Sequence, residues 1–347
     1  MAATLIIGGR SIAVGSRQTL ELPLPRLYTH TPMTMAAHVV RGKRDGPVLF
    51  VCAALHGDEL NGIEIIRRLL KHSTLKRIKG TLIAIPIVNV YGVIHHSRYL
   101  PDRRDLNRAF PGSERGTMAS RIADLMMSQI VAHCTHGIDL HTGAVHRVNL
   151  PQIRADLNHP ETASLAQEFG VPVLINADVR DGSLRQAATE RGIPMLLYEA
   201  GEALRFDELS IRAGLKGILN VMRSLGMLPK LRLRKARNSE PFVARTSMWM
   251  RAPESGILRS ATPLGARVKR GDVIGIIADP CGASEIGVKA KFGGIVIGRT
   301  NIPLVHEGEA LFHVASFEDS DEVAEQVESF QYEQNEMLAL PSEPPLV

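Results

Sequence analysis

The first 45 or so residues alternate apolar and polar positions between glycines and prolines, a pattern that predicts short strands or a hairpin. Gly46-Pro47 then opens an unbroken apolar run, Val48-Leu49-Phe50-Val51-Cys52-Ala53-Ala54-Leu55. A short run of this kind marks a strand buried on both faces. After His56-Gly57-Asp58-Glu59 the period changes. Leu60, Ile63, Ile66, Leu69 and Leu70 share one face of a helix that ends near Lys71. Apolar runs from Thr81 to Val88, His136 to Leu140, Val171 to Ile175 and Met195 to Tyr198 predict further strands. Helical spacing runs from Met118 to Ala132 and recurs around 160 to 169, 183 to 191 and 207 to 225. Strands alternating with helices predict an α/β fold, a mixed and mostly parallel sheet flanked by helices on both faces.

Near residue 229 the texture changes. Pro229-Lys230-Leu231-Arg232-Leu233-Arg234-Lys235-Ala236-Arg237 is a basic stretch that reads as a linker or its adjoining strand. Residues 241 to 316 are rich in glycine and valine with regular turn signals, so they read as all-β. They hold a near-repeat: Ala252-Pro253-Glu254-Ser255-Gly256-Ile257 is echoed by Ala290-Lys291-Phe292-Gly293-Gly294-Ile295. Gly271-Asp272-Val273-Ile274 is echoed by Gly308-Glu309-Ala310-Leu311. Two such halves, joined at Asp279-Pro280-Cys281-Gly282, predict a small pseudo-symmetric β module. The expected division is an α/β domain over 1–232, a β domain over 233–317 and an acidic tail over 318–347. The tail reads as a short amphipathic helix or a frayed end.

Composition narrows the class. At 44% hydrophobic and 22% charged residues, the 347-residue chain can bury a core without disulfide staples. Its three cysteines form no C-x-x-C pair, which argues against a disulfide framework and a cysteine metal site and fits a reducing compartment. No apolar run approaches the roughly 18 residues of a membrane span, and the N-terminus lacks the charged region of a signal peptide. The expectation is a soluble cytoplasmic protein without a membrane partner. The net charge of +5 is uneven, because residues 318–347 hold nine acidic residues and no lysine or arginine. The remainder carries 41 basic against 27 acidic residues, but they are dispersed, aromatics are only 4%, and no nucleic-acid-binding motif is present. The expectation is therefore no nucleic-acid partner, with the positive field left to draw anionic substrates into a cleft.

Four segments carry candidate chemistry. His56 and Glu59 sit three apart where a buried strand gives way to a helix, the end of an open α/β sheet where ligands are commonly mounted. Asp139-Leu140-His141-Thr142-Gly143 places a second histidine at another strand end. Two histidines and a glutamate form a three-ligand set for catalytic zinc, with a coordination position left for water. Ser97 to Gly112 is a long loop dense in arginine, a residue whose planar fork binds carboxylates. Finally, Glu199 ends an apolar strand, an awkward place for a carboxylate without a partner or a task. Beside a zinc-bound water it would serve as general base and then return the proton to the leaving amine.

In this order, the segments H-G-D-E, R-Y…D-L-N-R-x-F-P-G, D-L-H-T-G and Y-E-A-G, over roughly residues 45 to 205, resemble the succinylglutamate desuccinylase/aspartoacylase family of zinc carboxypeptidase-like deacylases. The resemblance implies one zinc per chain held by His56, Glu59 and His141, with Glu199 as base. It implies that Asn107 and Arg108 grip a substrate carboxylate and that Arg98 polarises the scissile carbonyl. The stretch from Arg98 to Asp105 is about two residues longer than in aspartoacylases proper, which leaves Arg103 as a competitor for that role. The loop and Phe110-Pro111-Gly112 look more like the bacterial branch that includes N-acetyl-diaminobutyrate deacetylases. The implied substrate is a small, anionic N-acylated amino acid or related amine. The C-terminal segment resembles a lipoyl/biotinyl-like barrel-sandwich module. Its joining hairpin, Asp279 to Ser284, has no lysine, so the expectation is no prosthetic group. That module would wall the cleft or mediate formation of a homo-oligomer. Two other readings stay open: a zinc carboxypeptidase acting on short peptides, and a non-catalytic binding protein that holds no metal.

Overall fold

The run that starts at Val48 divides its side chains between two cores. Phe50 and Cys52 enter one, and Leu49, Val51 and Ala53 the other. The period of two along a strand requires this where both faces are covered. The computed structural model of the chain describes residues 4–177, 180–230 and 242–336. Their order is β1 (Leu5–Ile7), β2 (Arg10–Ile12), β3 (Arg17–Pro23), β4 (Thr34–Arg41), β5 (Val48–Ala53), α1 (Asn61–Lys71), β6 (Thr81–Ile85), α2 (Val90–Ile94), α3 (Met118–Gln129), β7 (His136–Gly143), β8 (Arg147–Ala155), α4 (Pro160–Phe169), β9 (Val173–Asn176), α5 (Leu184–Thr189), β10 (Met195–Glu202) and α6 (Glu208–Ser224). After them come β11 (Phe242–Ala244), β12 (Thr246–Arg251), β13 (Gly256–Ser260), β14 (Arg267–Val268), β15 (Val273–Ala278), β16 (Glu285–Lys289), β17 (Gly294–Thr300), β18 (Leu304–Val305), β19 (Ala310–Ser316) and α7 (Ser320–Glu336).

The centre of the large sheet is parallel, in the order β6-β5-β7-β10. Helices α1, α4 and α6 contribute to the core on one face, and α3 and α5 to the core on the other. The large sheet is mixed, and the expectation of a mostly parallel one holds for the strands up to β10 but not once the C-terminal strands are included. The β3–β4 hairpin joins β6 antiparallel, and β8 joins β10 antiparallel, so antiparallel pairings outnumber parallel ones across the whole sheet. The parallel pairings join β5 to β6 and β7, β7 to β10, β8 to β9 and β9 to β11, whereas the β3–β4 hairpin, the β8–β10 pair and the strands from β12 onward pair antiparallel.

β8 is the strand that the hydrophobic pattern missed, because Arg147, Asn149, Gln152 and Arg154 interrupt it. One of its edges pairs with β17 over Arg147–Asn149 and with β9 over Gln152–Ala155. Pro151 falls between these two stretches, where its missing N–H costs no ladder bond. Through β8 and β17 the large sheet runs on into β19 and β12, so the C-terminal strands extend the α/β sheet. A second sheet, β16-β15-β13-β18, lies against them, and Met250, Leu258, Ile277, Val296 and Phe312 fill the space between. The near-repeat has a structural counterpart. The Gly271 N–H donates to Ala290 O at 2.9 Å, and the Gly308 N–H donates to Ala252 O at 2.9 Å, so each half caps the other.

The predicted linker and the 232/233 boundary fall largely within residues 231–241, outside the described residues. Much of the acidic tail is the 17-residue helix α7, with Val323 and Val327 buried beside Ile295 and Phe317; residues 337–347 lie outside the description. No helix among the described residues is long and apolar enough to cross a membrane.

Candidate active site

β5 and β7 run side by side in parallel, with Ala53 level with Leu140, so the turns at their carboxyl ends meet. Beyond β5 the backbone bends sharply. Ala54 has φ 52°, and the turn closes with the Glu59 N–H donating to His56 O at 3.2 Å. Gly57 packs so closely on Gly92 that a Cβ would lie 2.0 Å from its carbonyl carbon. Only glycine allows this approach, which aims His56 and Glu59 at His141. His56, Glu59 and His141 are all buried, and one donor atom from each lies within 4.8 Å of the others.

Glu59 is the hub. Its Oε1 faces His56 Nδ1 at 2.7 Å and accepts from Arg98 Nη1 at 3.2 Å. Its Oε2 faces His141 Nδ1 at 2.8 Å and accepts from the Thr142 N–H at 3.1 Å. Each imidazole turns its other nitrogen to an aspartate: His56 Nε2 to Asp105 at 3.2 Å and His141 Nε2 to Asp139 at 2.7 Å. Asp105 also accepts from Arg98 Nη2 at 3.0 Å. Burial alone would favour the uncharged forms, but the opposite charges overcome it. They hold Glu59 well below the usual carboxylate range, raise His56 and raise His141 well above the usual histidine range.

The donor set fits a divalent cation. Two Nδ1 atoms converge on one carboxylate, and each imidazole is oriented from behind by an aspartate, the arrangement that metal-holding histidines use. A cation in place of the two Nδ1 protons would meet nitrogen, oxygen and nitrogen donors.

The cluster opens into a cleft of about 450 Å3. Glu199 lies on its wall, but its strand does not end there. β10 continues to Glu202 through an irregularity at Gly201, which has φ 74° and stands against Asn61 and Asp207. The Glu199 carboxylate accepts from Asn149 Nδ2 at 2.6 Å and lies 3.6 Å from Arg154 Nε. Arg98, Asn107 and Arg108 also line the cleft. Asn107 Oδ1 accepts from the Leu184 N–H at 2.9 Å, which ties the arginine-rich loop to the start of α5. Arg103 is exposed at a left-handed turn (φ 65°) and does not line the cleft, whereas Arg98 does.

Several lining residues escaped sequence reasoning. Arg147, Asn149 and Arg154 come from β8, Arg180 from the segment leading into α5, Arg185 from the first turn of α5, and Trp249 from β12. Trp249 stacks on His313 with centroids 4.9 Å apart, and Arg147 lies 5.2 Å from the indole centroid. Burial, then repulsion from Arg154 and other arginines, lowers Arg180 and Arg185 from the usual arginine range. The usable signal was the polar strand that follows D-L-H-T-G so closely.

Residues 45–225 match the family model for the succinylglutamate desuccinylase/aspartoacylase catalytic domain. The chain is 24% identical over 312 residues to the N-alpha-acetyl-L-2,4-diaminobutyric acid deacetylase of Halomonas elongata, covering 87% of this chain and 91% of that protein. The crystal structure of a succinylglutamate desuccinylase/aspartoacylase from Rhodobacter sphaeroides superposes with a TM-score of 0.77 at 24% identity, covering 87% of this chain and 95% of the other. The product-bound ectoine utilization protein EutE (DoeB) of Ruegeria pomeroyi gives 0.76 at 23% identity, covering 86% and 94%. The matched residues include the turn after β5, the arginine-rich loop, β7 and β10, and they take in more than half of the sequence. By this match the chain belongs to the succinylglutamate desuccinylase/aspartoacylase family.

Proposed function

We propose that this protein hydrolyses the amide bond of a small, anionic N-acylated amino acid or related amine, with one zinc ion held by His56, Glu59 and His141. The convergence of those three side chains in a cleft that also contains Glu199 carries the reading. Zinc in such a site acidifies a water molecule and polarises a carbonyl oxygen. Glu199 takes a proton from the attacking water as the new C–O bond forms. It returns that proton to the nitrogen as the C–N bond breaks. Arg98 offers positive charge to the developing oxyanion. Asn107 and Arg108 hold a substrate carboxylate, so the amide meets the water in a reactive geometry.

The density of arginine supports the anionic character of the substrate. Arg147, Arg154, Arg180 and Arg185 join Arg98 and Arg108 around the cleft, while among the described residues Glu59 and Glu199 are the only carboxylates lining it. The Halomonas elongata relative is named for removing an acetyl group from a diaminobutyrate, which makes N-acetylated and N-succinylated amino acids the first compounds to try. The test is a panel of these beside short peptides, assayed for amine release by the zinc-reconstituted protein. Turnover of N-acyl amino acids that exceeds that of peptides supports the reading. Turnover of peptides alone would make it a carboxypeptidase.

A further inference from the structure

At the amino ends of the parallel strands, opposite the catalytic cleft, lies a second concavity of about 660 Å3. Its walls come from the turn ahead of β5, the segment ahead of β6, the start of β3 and the chain just after α6. Backbone bonds tie these pieces together: the Gly42 N–H donates to Gly80 O at 2.8 Å, the Gly80 N–H to Arg44 O at 2.9 Å, and the Lys79 N–H to Met227 O at 2.9 Å. The shape is therefore preformed, and its volume falls within the ordinary range for a small-molecule site.

The lining is one-signed. Arg17, Lys43, Arg44, Lys76, Arg77 and Lys79 contribute to it, and among the described residues no carboxylate does. Lys43, Arg44, Lys76, Arg77 and Lys79 are exposed and take part in none of the ion pairs among the described residues. Arginines elsewhere behave differently: Arg67 and Arg68 pair with Glu64, Arg212 with Glu208, and Arg259 with Glu285. Gathering like charges in a concavity raises the local potential and is unfavourable until a counter-charge arrives. Among the described residues no aromatic ring lines the groove, so they offer no stacking platform of the kind that single-stranded nucleic acid uses.

We propose that this groove is a second binding site, for a compact, multiply charged anion of small-molecule size such as a polyphosphate. The anion rests against Lys43, Arg44, Lys76, Arg77 and Lys79, remote from the arginines of the catalytic cleft.

Inorganic tripolyphosphate is the probe, titrated calorimetrically into the full chain at low ionic strength. Two variants separate the clefts: Lys76→Glu/Lys79→Glu in the groove and Arg154→Ala/Arg180→Ala in the catalytic cleft. The expected result is saturable binding that weakens with added salt. It should fall about tenfold or more in the groove variant, since each exposed charge contributes up to about 1 kcal/mol and reversal adds repulsion. The catalytic-cleft variant should retain it. Trp249, the only tryptophan, reports on the catalytic cleft, and its fluorescence should not follow this binding event. The proposal is overturned if tripolyphosphate does not bind, if only the catalytic-cleft variant loses it, or if a 20-base-pair DNA duplex binds more tightly than tripolyphosphate.

Discussion

Two regions of the same cleft treat charge in opposite ways. In the His56–Glu59–His141 cluster each ionisable group faces an opposite charge, and the set is buried. On another part of the cleft wall, Arg154, Arg180 and Arg185 repel one another, with Glu199 and Asp156 as opposing charges. Burying a charge is costly unless a partner compensates. The first region is complete in the folded chain and suits a permanently held cation. The second holds an excess of positive charge, which fits the anionic substrate proposed above.

The largest expected effect breaks the link between the regions. Glu199 belongs to the arginine wall by its hydrogen bonds and to the reaction by its proposed role. Glu199→Ala should lower turnover by a factor on the order of 100 to 10,000 while leaving metal content unchanged. Unchanged turnover would remove it from the mechanism. Next comes the support behind the cluster. Asp139→Asn removes the charge facing His141 Nε2 and should weaken zinc affinity about 10- to 100-fold in a chelator competition. Affinity equal to wild type would show that the aspartate does not orient the ligand. On the other wall, Arg154→Ala should raise KM about tenfold for a dicarboxylic substrate and less for a monocarboxylic one. Equal changes for both would mean that the wall does not read substrate charge.

The turn after β5 was legible in the sequence because strand, polar turn and helix follow one another without interruption, and His56 and Glu59 travel with that signal. The arginine wall was not, because its members lie on β8, ahead of α5 and within α5, and only the tertiary fold brings them together. Glu199 was placed at a strand end because the apolar run stops there, whereas β10 goes on through Ala200 and Gly201 as far as Glu202. The internal echo of the C-terminal segment was readable as a repeat. Its continuity with the α/β sheet was not, since the β8–β17 pairing leaves no local mark.

The smallest effect concerns the seam between the two parts. Burial, and then Arg154, push His313 down to about 3 from an ordinary 6.5, so it stays neutral under Trp249. The folded value is the lower one, so the unfolded chain binds the extra proton below pH 6.5. Stability is full above that pH and declines as pH falls toward 3. His313→Phe should reduce the loss of denaturation midpoint between pH 7 and pH 5. An identical loss in the variant would exclude His313 as a source of acid sensitivity.

The central claim is that the buried cluster holds a metal ion. The most direct measurement is elemental analysis of the purified protein after zinc reconstitution, with His141→Ala treated in parallel. The account predicts about one zinc per chain in the native protein, the number a single three-ligand site holds, and its loss in the variant. No zinc in the native protein, or equal zinc in both, would contradict it.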